Sequence, residues 1–539
     1  MKKTRICLIV CICLAACQAG PVSPTAIPAA TEKPAVVLPV FLSTPAATGQ
    51  FQPSACLFAL PPEVRQGQEV DCGYLSVLEQ RPVEGETRQP GDDTHKVGDA
   101  PRLIRLAVAI FHPPGGVQHP DPLIYLSGGP GGSTLETLRY GYEELTAPAF
   151  AAGRDLIVFD QRGVGRSRPA LDCPQLEEYM LDLLERQLDG RPADQAETES
   201  LLLSEVSACR AALNQVADLG AYHSAASAAD VEDLRLALGY EQVNLWGGSY
   251  GTRLALEVMR RYPHGLRSVV LDAVYPPDAD LYLEAPANFR RSLERLFAAC
   301  TANPVCQAAY PDLENFFYAT VARLNASPVQ RPLENPFTGE SYTAPMSGDT
   351  LLALTFQALY DSQLRFLLPG YIYAASQDDF TFFDRLRGAL FGMQSISSRG
   401  MMFSVQCHEE LAFSSYADFQ AEMERYPELA GMYRNSILGG LAYRICPLWE
   451  AGQADSSANQ PVSSDLPTLL MSGEFDPVTP PAWGRHAAES LSNGYFFEFP
   501  GLGHGAGHLP GCPRRMLLAF WEDPTRAPDA SCLADMAAH

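Results

Sequence analysis

The chain has 539 residues, 46% hydrophobic and 19% charged, with a formal net charge of −24 at pH 7. That apolar content excludes a disordered chain, and the length predicts one large domain with an insertion, or two to three domains. The acidic excess repels a phosphate backbone, so nucleic acid is not an expected partner.

The first residues, MKKTRICLIVCICLAACQ, set Lys2, Lys3 and Arg5 before an apolar run. At roughly eleven residues that run is too short to span a bilayer and reads as an export signal. Its end, LAAC, resembles the lipobox of bacterial lipoproteins, which implies cleavage before Cys17 and a lipid on that cysteine. An ordinary cleavable signal is the alternative. Residues 18–50, rich in Pro, Ala and Thr, read as an unstructured tether. The expected location is the extracytoplasmic side of a bacterial envelope, with the membrane reached through the lipid alone.

Setting aside Cys7, Cys11, Cys13 and Cys17 leaves ten of the fourteen cysteines, an even number without a C-x-x-C pair. In an exported chain that points to disulfides rather than metal ligation. Sequence does not fix connectivity. Pairing neighbours gives Cys56 with Cys72, Cys173 with Cys209, Cys300 with Cys306, Cys407 with Cys446 and Cys512 with Cys532.

From residue 102 apolar extended runs alternate with helical segments, the pattern of an α/β fold with a mostly parallel sheet. The predicted strands are RLIRLAVAIF (102–111), PLIYLSGG (122–129), DLIVFDQRG (155–163), VNLWGG (243–248), SVVLDAVYP (268–276), PTLLMSGEFD (467–476) and GYFFEFPG (494–501). DVEDLRLALG predicts a helix with Asp230 as N-cap, apolar Val231, Leu234 and Leu238 at helical spacing, and Gly239 as its end. TRLALEVMRRYP predicts another, with Leu254, Val258 and Tyr262 on one face and Pro263 as the stop. Residues 277–460 break the alternation. Phe289, Leu293, Leu296 and Phe297 form one helical stripe and TLLALTFQALY (350–360) another, so this stretch reads as an inserted helical cap. It divides the sheet-forming part into residues 51–276 and 461–539.

NLWGGSYG (244–251) places Ser249 in a turn between strand and helix. A serine hydroxyl attacks at neutral pH only with a base in hydrogen-bond reach, an acid orienting that base, and N–H donors for the oxyanion. A G-x-S-x-G turn bends sharply enough to expose the hydroxyl at the carboxyl edge of the sheet, with the following helix presenting its positive end. The partners are expected downstream in the order Asp, His. Asp476 ends one predicted strand and His504 follows the next. Asp476 has an alternative reading as the cap of a helix beginning near Pro480, and His508, placed one turn inside the next helix, is the rival to His504. His504 and His508 at i, i+4 lack an accompanying H-E-x-x-H, and CHEE (407–410) has the wrong spacing, so no metal is expected.

For the oxyanion, Tyr250 supplies one N–H, and LSGGPGGS (126–133) the other, from Gly129 with Gly128 next to it. The alternative for that run is a flexible turn. It lacks a G-K-[ST] ending, so neither a nucleotide nor another cofactor is expected.

Taken together, GGPGG (128–132), DQRGVGRS (160–167), DVEDLRLALG leading to NLWGGSYGTRLAL, GEFDPVTP (473–480) and GLGHG (501–505) resemble the α/β-hydrolase exopeptidases of the prolyl aminopeptidase and tripeptidyl aminopeptidase group. CTANPVC, VQCHEE and CPLW bring the resemblance closer to the secreted tripeptidyl type. It implies an α/β-hydrolase fold and a serine peptidase acting on peptide N-termini, with cap carboxylates gripping the free amine. Glu409 matches the acidic position best, with Glu410 second; two solvated glutamates are the alternative. An α-amine with a pKa near about 7.7–8.0 is largely cationic at neutral pH and suits a confined carboxylate. Prolyl aminopeptidases usually have His before GGPGG; here Ser127 stands there. A carboxylesterase using the same three residues on small acyl esters is the second functional expectation, and a ligand-binding lipoprotein on a degenerate scaffold the third.

Overall fold

Nine strands form one sheet in the order β1-β2-β3-β5-β4-β6-β7-β10-β11. The structure, a computed structural model, describes residues 49–81, 101–180, 195–334, 339, 341–392, 397–434 and 436–537. The expected export signal, Cys17 and the tether as far as residue 48 lie outside the described residues. In chain order the strands are β1 (Phe51–Pro53), β2 (Val70–Leu78), β3 (Leu103–Phe111), β4 (Leu123–Leu126), β5 (Leu156–Phe159), β6 (Val243–Gly248), β7 (Leu266–Asp272), β8 (Val329–Glu334), β9 (Ser341–Met346), β10 (Thr468–Gly473) and β11 (Gly494–Phe499). From β5 through β11 every neighbour in the large sheet is parallel, whereas β1, β2 and β3 form an antiparallel edge that joins β5.

The parallel strands are apolar on both faces because helices cover both. In β5, Ile157 and Phe159 join a core with Val231, Leu234, Leu254 and Val258 from helices on one side. Leu156 and Val158 join another with Leu135, Phe520 and Trp521 on the opposite side.

All seven predicted strands are present: β6 has the predicted bounds, β7 begins two residues earlier and ends sooner, and the other five are shorter. The sequence reading missed β1 and β2. Cys72 and Gly73 interrupt the apolar pattern of β2, whose extended form comes from a nine-residue pairing with β3. It also missed the β8–β9 hairpin, since residues 277–460 read as helical throughout. Elsewhere between β7 and β10 the chain is mainly helical, with its own core around Phe289, Leu293, Leu296, Phe297, Phe317 and Phe356.

The helix predicted to start at Asp230 starts earlier. It runs Ser224–Ala237 with the His223 side chain capping it, and Asp230 lies mid-helix, fully buried. The Asp230 carboxylate receives the Arg162 guanidinium in a fork, both contacts at 2.7 Å, and also pairs with Arg81. The acid read as a helix cap is thus a buried ion-pair partner in the middle of the helix. His508 is likewise not helical, because the next helix begins at Cys512. All five disulfides join the sequence neighbours named above.

Candidate active site

Ser249 sits between β6 and the helix Tyr250–Arg261 with φ +55° and ψ −124°, a conformation costly for a residue with a side chain. The flanking glycines make the turn possible. A Cβ on Gly247 would strike the carbonyl of Gly251, and one on Gly251 would overlap the carbonyl of Leu126 on β4. The turn is held by Ser249 N–H donating to the Asp272 carbonyl at 2.9 Å, and by the Thr252 N–H and hydroxyl donating to the Ser249 carbonyl at 2.8 and 2.7 Å.

Asp476 follows β10 and is fully buried. Its Oδ1 accepts the N–H groups of Val478 and Thr479, and its Oδ2 accepts the Thr479 hydroxyl at 2.7 Å and His504 Nδ1 at 2.8 Å. Burial alone would raise its pKa. The charge and hydrogen bond of His504, with those of Val478 and Thr479, outweigh burial and hold the carboxylate below its ordinary range. With Nδ1 directed at Asp476, His504 leaves Nε2 buried and without a hydrogen-bond partner among the described residues.

The structure therefore joins His504 to Asp476 but does not close a hydrogen bond from Ser249 to His504. Tyr360 packs against the imidazole, its ring 4.1 Å away centroid to centroid. His508, the alternative histidine, interacts with Asp272, whose carboxylate accepts the N–H groups of Ala506 and Gly507 at 2.8 and 2.7 Å.

Tyr250 opens the helix after Ser249, and its buried hydroxyl meets Ser224 Oγ at 2.8 Å. In the glycine loop, a Cβ on Gly128 would come within 3.0 Å of Ser249 Cβ and 3.6 Å of its Oγ, while Gly129, φ +125°, folds over the nitrogens of Gly131 and Gly132. Gly128 is thus the loop residue packed on Ser249. Asp160 fastens this loop: its carboxylate accepts Ser133 Oγ, Leu135 N–H and Arg166 N–H at 2.9, 3.1 and 2.7 Å, and burial lifts its pKa to about 6. The Ser127 carbonyl accepts the Gln161 amide at 3.0 Å.

The acidic pair divides. Glu409 accepts the Ser224 N–H at 2.7 Å and pairs with buried Arg253 at 3.3 Å, so its carboxylate is occupied. Glu410 is 8% exposed, and among the described residues neither of its oxygens has a full hydrogen bond. The Tyr275 hydroxyl approaches it without closing ordinary geometry, and Tyr282, also lacking a hydroxyl partner, lies within its electrostatic reach. Burial, opposed by Arg253, pushes the Glu410 pKa up to about 7.

Sequence reasoning missed Tyr360, Asp272 and Thr479. Asp272 had a signal, an acid ending a predicted strand as Asp476 does; Thr479 had one in its place three residues after Asp476. Tyr360 had none.

The profile of a family described as alpha/beta hydrolase fold matches residues 121–509. The hydrolase YuaR of Escherichia coli (strain K12) is 27% identical over 302 residues, 54% of this chain and 53% of that protein, so the chain spans about half the length of this relative. Serine protease Hip1 of Mycobacterium tuberculosis (strain H37Rv) is 24% identical over 419 residues, 75% of this chain and 79% of Hip1. Tripeptidyl aminopeptidase of Streptomyces coelicolor is 30% identical over 217 residues, 39% of this chain and 36% of that enzyme.

Proposed function

The chain belongs to the alpha/beta hydrolase fold family, and on that premise we propose that it is a serine exopeptidase that removes short peptides or residues from substrate N-termini. The observation that carries this reading is the pairing of His504 Nδ1 with Asp476 at 2.8 Å, which leaves Nε2 unpartnered in a site shared with the strained Ser249.

Ser249 Oγ attacks the scissile carbonyl as its proton passes to His504 Nε2; Asp476 holds the imidazole tautomer and stabilises the imidazolium. The carbonyl oxygen takes the electron pair and is met by the Tyr250 N–H and one from Gly129 or its neighbour Gly128. His504 then protonates the leaving amine, and water, activated by the same imidazole, releases the acyl group.

Selection of a free N-terminus falls to Glu410 in this reading. An ionised carboxylate with open lone pairs, walled by Tyr275 and Tyr282, suits an ammonium group. Glu409 holds Arg253 and through it the helix that follows Ser249. Residues 277–460 act as a cap over sheet-forming parts 51–276 and 461–539. The five disulfides support an extracytoplasmic location; a lipid on Cys17 completes the proposal as the tether.

Ser249→Ala tests the chemistry. It should lower peptide turnover at least about a thousandfold and abolish fluorophosphonate labelling. Near-normal cleavage by that variant would end the reading. A panel of chromogenic peptides with free and blocked N-termini tests the class: preference for free amines is expected, and hydrolysis of activated esters without any peptide cleavage would make the protein an esterase.

A further inference from the structure

The helix Leu281–Ala302 has two differently occupied faces. Phe289, Leu293, Leu296 and Phe297 enter the core of the inserted helical stretch, whereas Asn288, Arg291, Ser292 and Arg295, spaced i, i+3, i+4 and i+7, meet the loop that carries Asp476. Arg291 Nη1 donates to the Glu474 carbonyl at 2.9 Å and Nη2 to the Asp476 carbonyl at 2.7 Å. Between them Ser292 Oγ donates to the Phe475 carbonyl at 2.5 Å, and Asn288 Nδ2 reaches the Val478 carbonyl at 3.2 Å. Arg295 pairs with the Glu474 carboxylate. On the other side of the loop, the Glu474 and Phe475 N–H groups donate to the Phe499 and Leu502 carbonyls at 3.1 and 2.8 Å. The Phe475 side chain, 2% exposed, lies in the same core as Phe289. The acid loop is therefore held through its N–H groups by the segment leading to His504, and through its carbonyls by one helix.

We propose that Arg291 is a positioning residue for the reaction, its guanidinium fork clamping the Glu474 and Asp476 carbonyls so that the Asp476 carboxylate meets His504 Nδ1. This rests on Asp476 and His504 serving Ser249 as proposed above. Arg291 touches no reacting atom and acts through Asp476. Of the helix residues that hold the loop, it alone bonds the main chain of Asp476 itself, and the rigid planar fork fixes two carbonyls two residues apart relative to each other. Both bonds are charge-assisted and therefore stronger than the amide bond from Asn288. Burial opposes the guanidinium charge, and the Asp476 carboxylate is the leading acid that favours it, so the clamp also sets a cation near the catalytic acid. With the main chain of Asp476 fixed, its carboxylate reaches His504 at 2.8 Å. Releasing the two carbonyls lets the acid drift from the imidazole, and the histidine loses the orientation that proton transfer needs.

Arg291→Met in the full chain keeps an unbranched stem and removes the fork. Active sites counted by fluorophosphonate end-point titration restrict the comparison to folded, competent molecules. Per titrated site, kcat on a free-amine peptide and the rate constant of fluorophosphonate labelling should both fall about ten- to a hundredfold, with KM unchanged. Arg291→Lys keeps the charge without the fork and should fall about three- to tenfold, which also carries the comparison if the Met chain yields no titratable sites. In an Asp476→Asn background, where the carboxylate is already gone, either Arg291 substitution should lower the labelling rate less than about twofold further. Wild-type rates per site in every variant that folds would overturn the assignment, since Arg291 would then serve stability alone. An undiminished loss in the Asp476→Asn background would overturn it too, because the effect would not pass through Asp476. The two readings fail separately: an active Ser249→Ala removes the nucleophile itself, whereas an inactive Ser249→Ala beside a fully active Arg291→Met removes only Arg291.

Discussion

The backbone carbonyl of Asp272 accepts the N–H of Ser249 at 2.9 Å, and the carboxylate of the same residue accepts the N–H groups of Ala506 and Gly507 just past His504. The end of β7 therefore holds the serine turn with its main chain and the histidine loop with its side chain. Asp272→Ala strips the acceptor from two buried donors. Each orphaned N–H should lower stability by about 1–3 kcal/mol, and kcat should fall because the His504 loop loses its anchor. Urea unfolding and turnover per titrated site measure the two effects. Wild-type values for both would show that the loop is held by its other contacts.

Glu409→Ala should be strongly destabilising. Arg253 is 2% exposed and also donates to the carbonyls of Pro277 and Ala458, so it stays buried when its ion partner is removed. Breaking one side of such a pair typically lowers stability by about 3–5 kcal/mol. Glu409→Gln keeps an acceptor for the Ser224 N–H and should lose less. An Ala variant as stable as wild type in denaturant titrations would contradict the buried pairing.

Glu410 should behave in the opposite way. Burial lifts its pKa from 4.5 to about 7, so the native state holds this proton more tightly than the unfolded chain does. The stability linked to it is fully present below about pH 4.5, declines as pH rises and is lost by about pH 7, with no further change above. Glu410→Gln lacks this slope. Its stability relative to wild type should therefore climb across the same window and level off at a gain of about 3 kcal/mol. Urea midpoints from pH 4 to 9 for both proteins provide the comparison, and a difference independent of pH would refute the raised pKa. The same variant should raise KM for free-amine peptides while sparing activated esters.

The parts of this molecule legible in its sequence are those fixed locally. β4, β5 and β6 are short apolar runs that would be buried in any arrangement, and the Gly247–Ser249–Gly251 spacing encodes a turn that few other residues tolerate. Asp476 and His504 follow strands whose positions in a parallel sheet bring both to one edge. What stayed hidden depends on contacts between distant segments. Asp230 looks like a helix cap until Arg162, 68 residues earlier, is placed against it. Glu409 and Glu410 are chemically identical neighbours, and only the fold separates them: one faces Arg253 while the other lacks any full hydrogen bond. Tyr360 is one aromatic among many in a helical stretch, and its ring contact with His504 follows no periodicity.

The disulfide Cys407–Cys446 joins the helix Arg399–Glu409 to the helix Ala442–Trp449 across 39 residues of sequence, whereas Cys300–Cys306 spans 6. In the chain-entropy account the longer loop restricts the unfolded state more, giving about 4 kcal/mol against about 2 kcal/mol. Replacing both cysteines of each pair by serine should therefore lower the guanidinium midpoint further for Cys407/Cys446. That pair also has a local effect. Cys407 lies two and three residues before Glu409 and Glu410, so loosening it should raise KM for free-amine peptides before it affects ester turnover, whereas loss of Cys300–Cys306 should leave both unchanged at temperatures where the protein is folded. Equal midpoints would show that native-state contacts, not loop length, decide the contribution of each bridge. An unchanged KM in the Cys407/Cys446 variant would separate the acidic pair from its helix anchor.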